Sequence, residues 1–223
     1  MIFRLTVVLL IAAMMPPARA ESRPKVWRVD CGPGTANASV DGDTLHSLNE
    51  ANAKSLQPDD QLLFRRGTVC HGSFFPQGSG SVGHPVRIGA YGSGARPRIQ
   101  AAGSSDSAIE LRDQQWIEID SLDVSGSRLY GVHVVATNGV RHHLMLRDLT
   151  VHDVRNTAEK VKSKESGLIV VHSTTAGAAF DDVTIDGILA FGTTQWAGIL
   201  VSGTTGSAPT GHIVIRNSMV YDV

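Results

Sequence analysis

Trp116-Ile117-Glu118-Ile119-Asp120-Ser121-Leu122-Asp123-Val124 is an alternating strand, a polar two-residue bend and a second short strand, and the pattern returns three more times. The copies are His143-Leu144-Met145-Leu146-Arg147-Asp148-Leu149-Thr150-Val151, Asp182-Val183-Thr184-Ile185-Asp186-Gly187-Ile188-Leu189-Ala190 and His212-Ile213-Val214-Ile215-Arg216-Asn217-Ser218-Met219-Val220. Equivalent positions Ile119, Leu146, Ile185 and Ile215 are separated by 27, 39 and 30 residues. Between them recur Gly131-Val132-His133-Val134, Gly167-Leu168-Ile169-Val170 and Gly198-Ile199-Leu200-Val201, a third strand in each repeat. Alternation points every second residue inward, so Ile117, Ile119, Leu122 and Val124 are expected to stack on Leu144, Leu146, Leu149 and Val151. One such turn cannot bury its apolar side alone, whereas stacked neighbours make a continuous core.

This reading predicts an all-β chain, a right-handed parallel β-helix of three-strand coils. An antiparallel sandwich also has short alternating strands, but no reason to repeat three of them about every 30 residues. A leucine-rich repeat would run shorter, with Leu and Asn at offsets missing here. The 23 glycines and only 5% aromatic residues suit thin coils with tight corners. Before the repeats, Leu45, Leu48, Ala51 or Ala53, and Leu56 fall near helical spacing, which predicts a short amphipathic capping helix over Thr44–Leu56 with Asp43 or Thr44 as N-cap. Irregular first coils are expected from Val26–Val29, Leu62–Phe64 and Val86–Ala90. The domain plan is therefore a signal over residues 1–20, cap and irregular coils over 21–100, and regular coils over 101–223. Because Val220-Tyr221-Asp222-Val223 ends on a strand with no polar cap, further coils are expected to follow.

Arg4, the apolar run Leu5–Met15 and the small residues Ala18 and Ala20 have the order of a secretory signal, so export to the periplasm or cell exterior is expected. The run is too short to span a bilayer. Without Arg4 and Arg19 the chain carries 18 basic against 21 acidic residues, and lacks the basic stripe that nucleic-acid binding needs. A monomer is expected. In an oxidising compartment Cys31 and Cys70 are expected to pair, the alternative being two buried free thiols.

Several segments carry a likeness: Trp27-Arg28-Val29-Asp30-Cys31, Ser47-Leu48-Asn49, Gln57-Pro58-Asp59-Asp60-Gln61-Leu62-Leu63-Phe64-Arg65-Arg66-Gly67, Pro85-Val86-Arg87-Ile88-Gly89-Ala90-Tyr91-Gly92-Ser93-Gly94 and Pro97-Arg98-Ile99. They resemble the N-terminal half of secreted right-handed β-helix proteins of the pectate-lyase-like superfamily, and Asn217 resembles the asparagine that stacks as a ladder in such solenoids. The other bends hold Ser121, Asp148 and Gly187, so only the bend carries over. The resemblance implies a polysaccharide substrate cut by a lyase or glycoside hydrolase, with a non-catalytic adhesin-like binder as the alternative. A fold alone does not choose among them.

The overlong spacing places an insertion between Val154 and Gly167, the most charged stretch of the chain, and insertions in repeat proteins often line a binding face. A lyase would take its base from Lys162 or Lys164, with Arg155 as the stabilising cation. A hydrolase would take its two carboxylates from Asp153 and Glu165. A solvated loop rich in charge is the plain alternative. His133, His152 and His172 are candidate substrate contacts that a three-strand coil brings towards one groove, though none has metal-ligand spacing and surface histidine is the simpler account. Against a sugar groove, Ile169 and Leu200 are expected to point outward. Asp41-Gly42-Asp43, with Asp30 upstream, resembles a calcium cluster, although helix capping and a turn explain the same residues without metal. Asn37-Ala38-Ser39 is a glycosylation sequon.

Overall fold

The structure, a computed structural model, describes residues 23–33, 42–155, 164–203, 206 and 210–223. The signal-like segment, Asp41, Lys162 and the sequon lie outside the described residues. The chain opens with β1 (Val26–Val29), β2 (Thr44–Leu45), α1 (Leu48–Asn52), β3 (Ser55–Leu56), β4 (Gln61–Arg65), β5 (Val69–His71) and β6 (Gln77–Gly78). One coil then follows another: β7 (Val86–Tyr91), β8 (Arg98–Gln100), β9 (Ser107–Arg112); β10 (Ile117–Asp120), β11 (Asp123–Ser125), β12 (Tyr130–Ala136); β13 (Val140–Arg147), β14 (Thr150–Val154), β15 (Gly167–Ser173); β16 (Ala179–Asp186), β17 (Leu189–Thr193), β18 (Ala197–Gly203); and β19 (Gly211–Arg216), β20 (Met219–Tyr221).

These strands make a parallel β-helix. The first sheet runs β19-β16-β13-β10-β7-β4-β1-β2, the second β20-β17-β14-β11-β8-β5 and the third β18-β15-β12-β9, each strand pairing in parallel with its equivalent one coil away. Ile117 and Ile119 pair with Leu144 and Leu146, and Val124 with Val151, as the alternation requires. The inward columns fuse into one core, from Val29 to Ala190 among its fully buried members. Burying each large aliphatic contributes about 1.5–3 kcal/mol, so the stack rather than any one coil holds the fold.

Corners are set by residues that tolerate left-handed backbone. Ser121, Asp148, Gly187 and Asn217 occupy φ of 59°, 51°, 68° and 52° at one corner, and Gly126, Asp153, Gly192 and Asp222 occupy φ of 83°, 53°, 70° and 53° at the next. Short polar side chains and glycine bear this geometry at least cost, which explains why the bends share a shape without sharing an asparagine.

The capping helix is shorter than its hydrophobic spacing suggested. Thr44-Leu45 is instead a strand paired with Arg28-Val29, and Ser55-Leu56 pairs with Gln77-Gly78, so sheet pairing claims both ends of the predicted segment. Ser47 is the N-cap, its Oγ accepting from the Glu50 amide, while Leu48 and Ala51 enter the core. Cys31 and Cys70 form a disulfide with Cα atoms 5.2 Å apart.

The glycine marker of the third sheet is displaced by one residue in the middle coil. Gly167 pairs with Tyr130 and Ala197, so Leu168 stands level with Gly131 and Gly198. Packing against the next coil explains the exchange. A Cβ on Gly131 would overlap Val151 Cγ1, and one on Gly198 would overlap Val220 Cγ1. The residue in register with Val151 and Val220 is Ala190, and that smaller side chain leaves room for Leu168. The shift also corrects the facing of Ile169, which is buried in the core beside Val132 and Ile199 and does not point outward.

Candidate functional site

Register, not sequence proximity, assembles a polar cluster on the outer face of the third sheet. Phe74 bridges Ile109, Ile109 pairs with Val132, and Val132 with Ile169. With those residues inward, their successors Phe75, Glu110, His133 and Val170 form the adjoining outward column. Arg112, Val135 and His172 form the next.

Glu110 is the hub. Its Oε1 accepts from Arg112 Nη2 at 2.8 Å and Nε at 3.0 Å, and its Oε2 accepts from Ser107 Oγ at 3.3 Å and meets His133 Nδ1 at 3.4 Å. The hydrogen bond from His133, helped by Arg112 and opposed by partial burial, holds the Glu110 carboxyl at about 2. An ionised carboxylate only accepts, so His133 Nδ1 carries a proton, and in the neutral ring Nε2 presents a lone pair. His172 Nε2 lies 3.0 Å from that atom, and with His133 neutral it supplies the proton of the contact, which leaves a lone pair on His172 Nδ1. Burial pushes the His172 imidazolium below its ordinary value, which favours the neutral ring. The result is a carboxylate–imidazole–imidazole chain.

Tyr130 stacks on the His133 ring with centroids 4.0 Å apart. Burial, then the charges of Glu165, Asp106 and Glu110, raise its phenol above the usual range, so it stays protonated. Both histidines are only 6% exposed, whereas the Arg112 side chain is 55% exposed. The groups offered to solvent are therefore Arg112 and, more partially, Glu110 and Tyr130. Beyond them a cleft of about 520 Å³ opens between Phe75–Ser79 and Glu110–Gln114.

The sequence candidates divide between two faces. His133 and His172 come together on the third sheet, buried rather than at the surface, while His152 does not join them. Glu165, at the described end of the insertion, acts electrostatically on His172 and Tyr130. Lys164 Nζ lies 5.5 Å from the ring of Trp196, which is 62% exposed. His152, Asp153 and Arg155 sit instead beside the second sheet. His152 bridges Asp123 at 3.0 Å and Asp153 at 2.8 Å and stacks on Phe191, while Arg155 Nε lies 3.5 Å from Asp153. Asp153 is also a corner residue. Glu110, Arg112, Tyr130 and Phe75 were not anticipated. Alternation in Ser107-Ala108-Ile109-Glu110-Leu111-Arg112, read as a coil's third strand, is the signal that would have found the first two.

Among the described residues no group of three or more His, Cys, Asp or Glu is arranged to hold a metal ion. No helix among them is long and apolar enough to cross a membrane.

No protein-family model matches the chain, and no curated protein matches it. Among solved structures, the native GH136 lacto-N-biosidase from Eubacterium ramulus superposes with a TM-score of 0.69 at 22% identity, over 87% of this chain and 41% of that one. Its selenomethionine derivative gives 0.67 at 21%, over 89% and 42%. An alginate lyase from Paenibacillus sp. str. FPU-7 reaches only 0.42 at 14%, over 86% and 66%. The chain thus spans less than half the length of the lacto-N-biosidase, and the likeness to it establishes the parallel β-helix fold.

Proposed function

We propose that the chain is part of a secreted, carbohydrate-active β-helix enzyme that cleaves an extracellular polysaccharide by proton abstraction, as a lyase does. The observation that carries this reading is the Glu110–His133–His172 chain, which ends in a neutral imidazole and has a protonated tyrosine stacked on its middle ring. A lyase needs a base to take the proton beside a uronate carboxylate, an acid for the departing glycosidic oxygen and a cation against the carboxylate. His172, Tyr130 and Arg112 supply those three chemistries. The base role moves from Lys162 or Lys164 to His172, with Lys164 a further cation near the same corner.

Hydrolysis finds less support. Its general acid is a carboxyl with raised pKa, while Glu110 is driven to about 2. Asp113 is likewise lowered, held by hydrogen bonds from Thr137 and Asn138 despite partial burial. A non-catalytic glycan binder is favoured by one observation, the near-complete burial of both histidines. Calcium assistance through the Asp41–Asp43 region remains part of the proposal, as does work outside the cytoplasm, with which the Cys31–Cys70 disulfide accords.

The test offers the full-length protein a panel of uronate-containing and neutral polysaccharides, following ultraviolet absorbance of unsaturated uronates and release of reducing ends. Rising absorbance is expected, with kcat reduced about 10²–10⁴-fold in His172→Ala. Reducing ends without absorbance would replace the lyase by a hydrolase. Binding without either signal would leave the binder.

A further inference from the structure

We infer that the cleft between Phe75–Ser79 and Glu110–Gln114 is a binding subsite for a pyranose ring, with Phe75 as its stacking platform. This rests on the glycan-directed reading above, and it names the residue that seats the neighbouring sugar.

The cleft is built rather than incidental. Asn52 of α1 holds one wall, accepting from the Phe75 amide at 2.7 Å and donating to Ser73 O at 3.0 Å. Gln114 Nε2 crosses to that wall, donating to Pro76 O and Gly78 O, each at 2.7 Å. The capping helix therefore fixes an aromatic wall one coil away from Glu110. The volume of about 520 Å³ lies in the range of small-ligand sites.

Its chemistry suits a sugar. Phe75 is 40% exposed, and a pyranose offers an aliphatic ring face to such a surface. Glu110 and Arg112 form an ion pair at 2.8 Å and Asp113 adds a second carboxylate, so the floor is polar, with guanidinium hydrogens still available beyond the pair. Gln114 also lines the cleft, with its amide nitrogen committed to the opposite wall and its Oε1 buried. The aromatic stack on the second sheet makes the contrast. His152, Phe191 and Tyr221 lie successively 5.1 Å apart along the stack with rings 6–7° from parallel, so both faces of Phe191 are covered and only the terminal Tyr221 stays exposed.

The test measures binding of tetragalacturonate and cellotetraose to the full-length protein by calorimetry, comparing wild type, Phe75→Ala, Phe75→Trp and His172→Ala. At least one probe is expected to bind, with affinity falling about tenfold in Phe75→Ala and restored in Phe75→Trp, whose fluorescence changes on binding. His172→Ala should bind like wild type while losing turnover. Equal affinity of Phe75→Ala and wild type, or binding of neither probe, would overturn the subsite. Phe75-dependent binding without cleavage would sink the lyase and keep the subsite, whereas cleavage indifferent to Phe75 would do the reverse.

Discussion

Replacing Glu110 by glutamine should lower stability at neutral pH and leave a signature in acid. The folded carboxyl titrates at about 2 against an ordinary value of 4.5, a difference worth at most about 3 kcal/mol at 1.36 kcal/mol per pK unit. The side chain is 22% exposed, and solvent screening brings the expected loss to about 1–2 kcal/mol. The sign follows from the lowered value. Stabilisation by the carboxylate is complete above about 4.5 and drains away as pH falls towards 2. The amide cannot titrate, so the gap between wild type and Glu110→Gln should be widest at neutral pH and close in acid. Asp113, Asp181 and Asp186 are also lowered and weaken both proteins alike in acid, so the difference isolates Glu110. Denaturant unfolding of both proteins across that pH range provides the measurement. A gap of constant size, or none at neutral pH, would refute the hydrogen-bonded hub and the histidine tautomers deduced from it.

Two further outcomes test the fold. Cys31→Ser with Cys70→Ser opens a loop with a sequence separation of 39, for which chain entropy gives about 4 kcal/mol; a loss below about 1 kcal/mol in thermal or denaturant unfolding would mean the bond constrains little. Gly131→Ala should cost about 1–3 kcal/mol by overpacking, and adding Val151→Ala should recover only part of it, because Leu168 O still lies 2.5 Å from the new Cβ. Full recovery, or no cost at all, would contradict the size exchange proposed between neighbouring coils.

Much of the solenoid could be read from sequence because inward alternation repeats in step with the coil. Ile117, Ile119 and Val124 meet the residues that the pattern assigns them. Reading failed where a local signal has more than one physical cause. Gly131 and Gly198 are small because a valine of the next coil lies against them, whereas Gly167 abuts the carbonyl of Ala197. Aligning all three as one marker shifted Ile169 to the wrong face. The helix was overextended for a related reason: Leu45 and Leu56 are core residues, but parallel pairing recruits both into strands. His133 and His172 could each be placed on the third strand of a coil, but the same glycine alignment set them on opposite faces, and only the true register, Val135 with His172, puts them together. Glu110 was not legible, because its strand precedes the four aligned repeats.

Stacking coils turns that omission into a rule for finding sites. Glu110 and His133 are 23 residues apart, and His133 and His172 are 39 apart across the insertion, yet each pair bridges adjacent coils. An insertion at a corner lengthens the sequence spacing without moving the strand that follows, because the core columns hold its register: Val132 with Ile169, then Ile169 with Ile199. Chemistry on a solenoid face is therefore independent of loop length but sensitive to parity. Moving His172 by one position would turn it into the column of Val171, where the core leaves no place for a polar ring. The imidazole pair and its carboxylate anchor are thus specified by the same alternation that builds the fold.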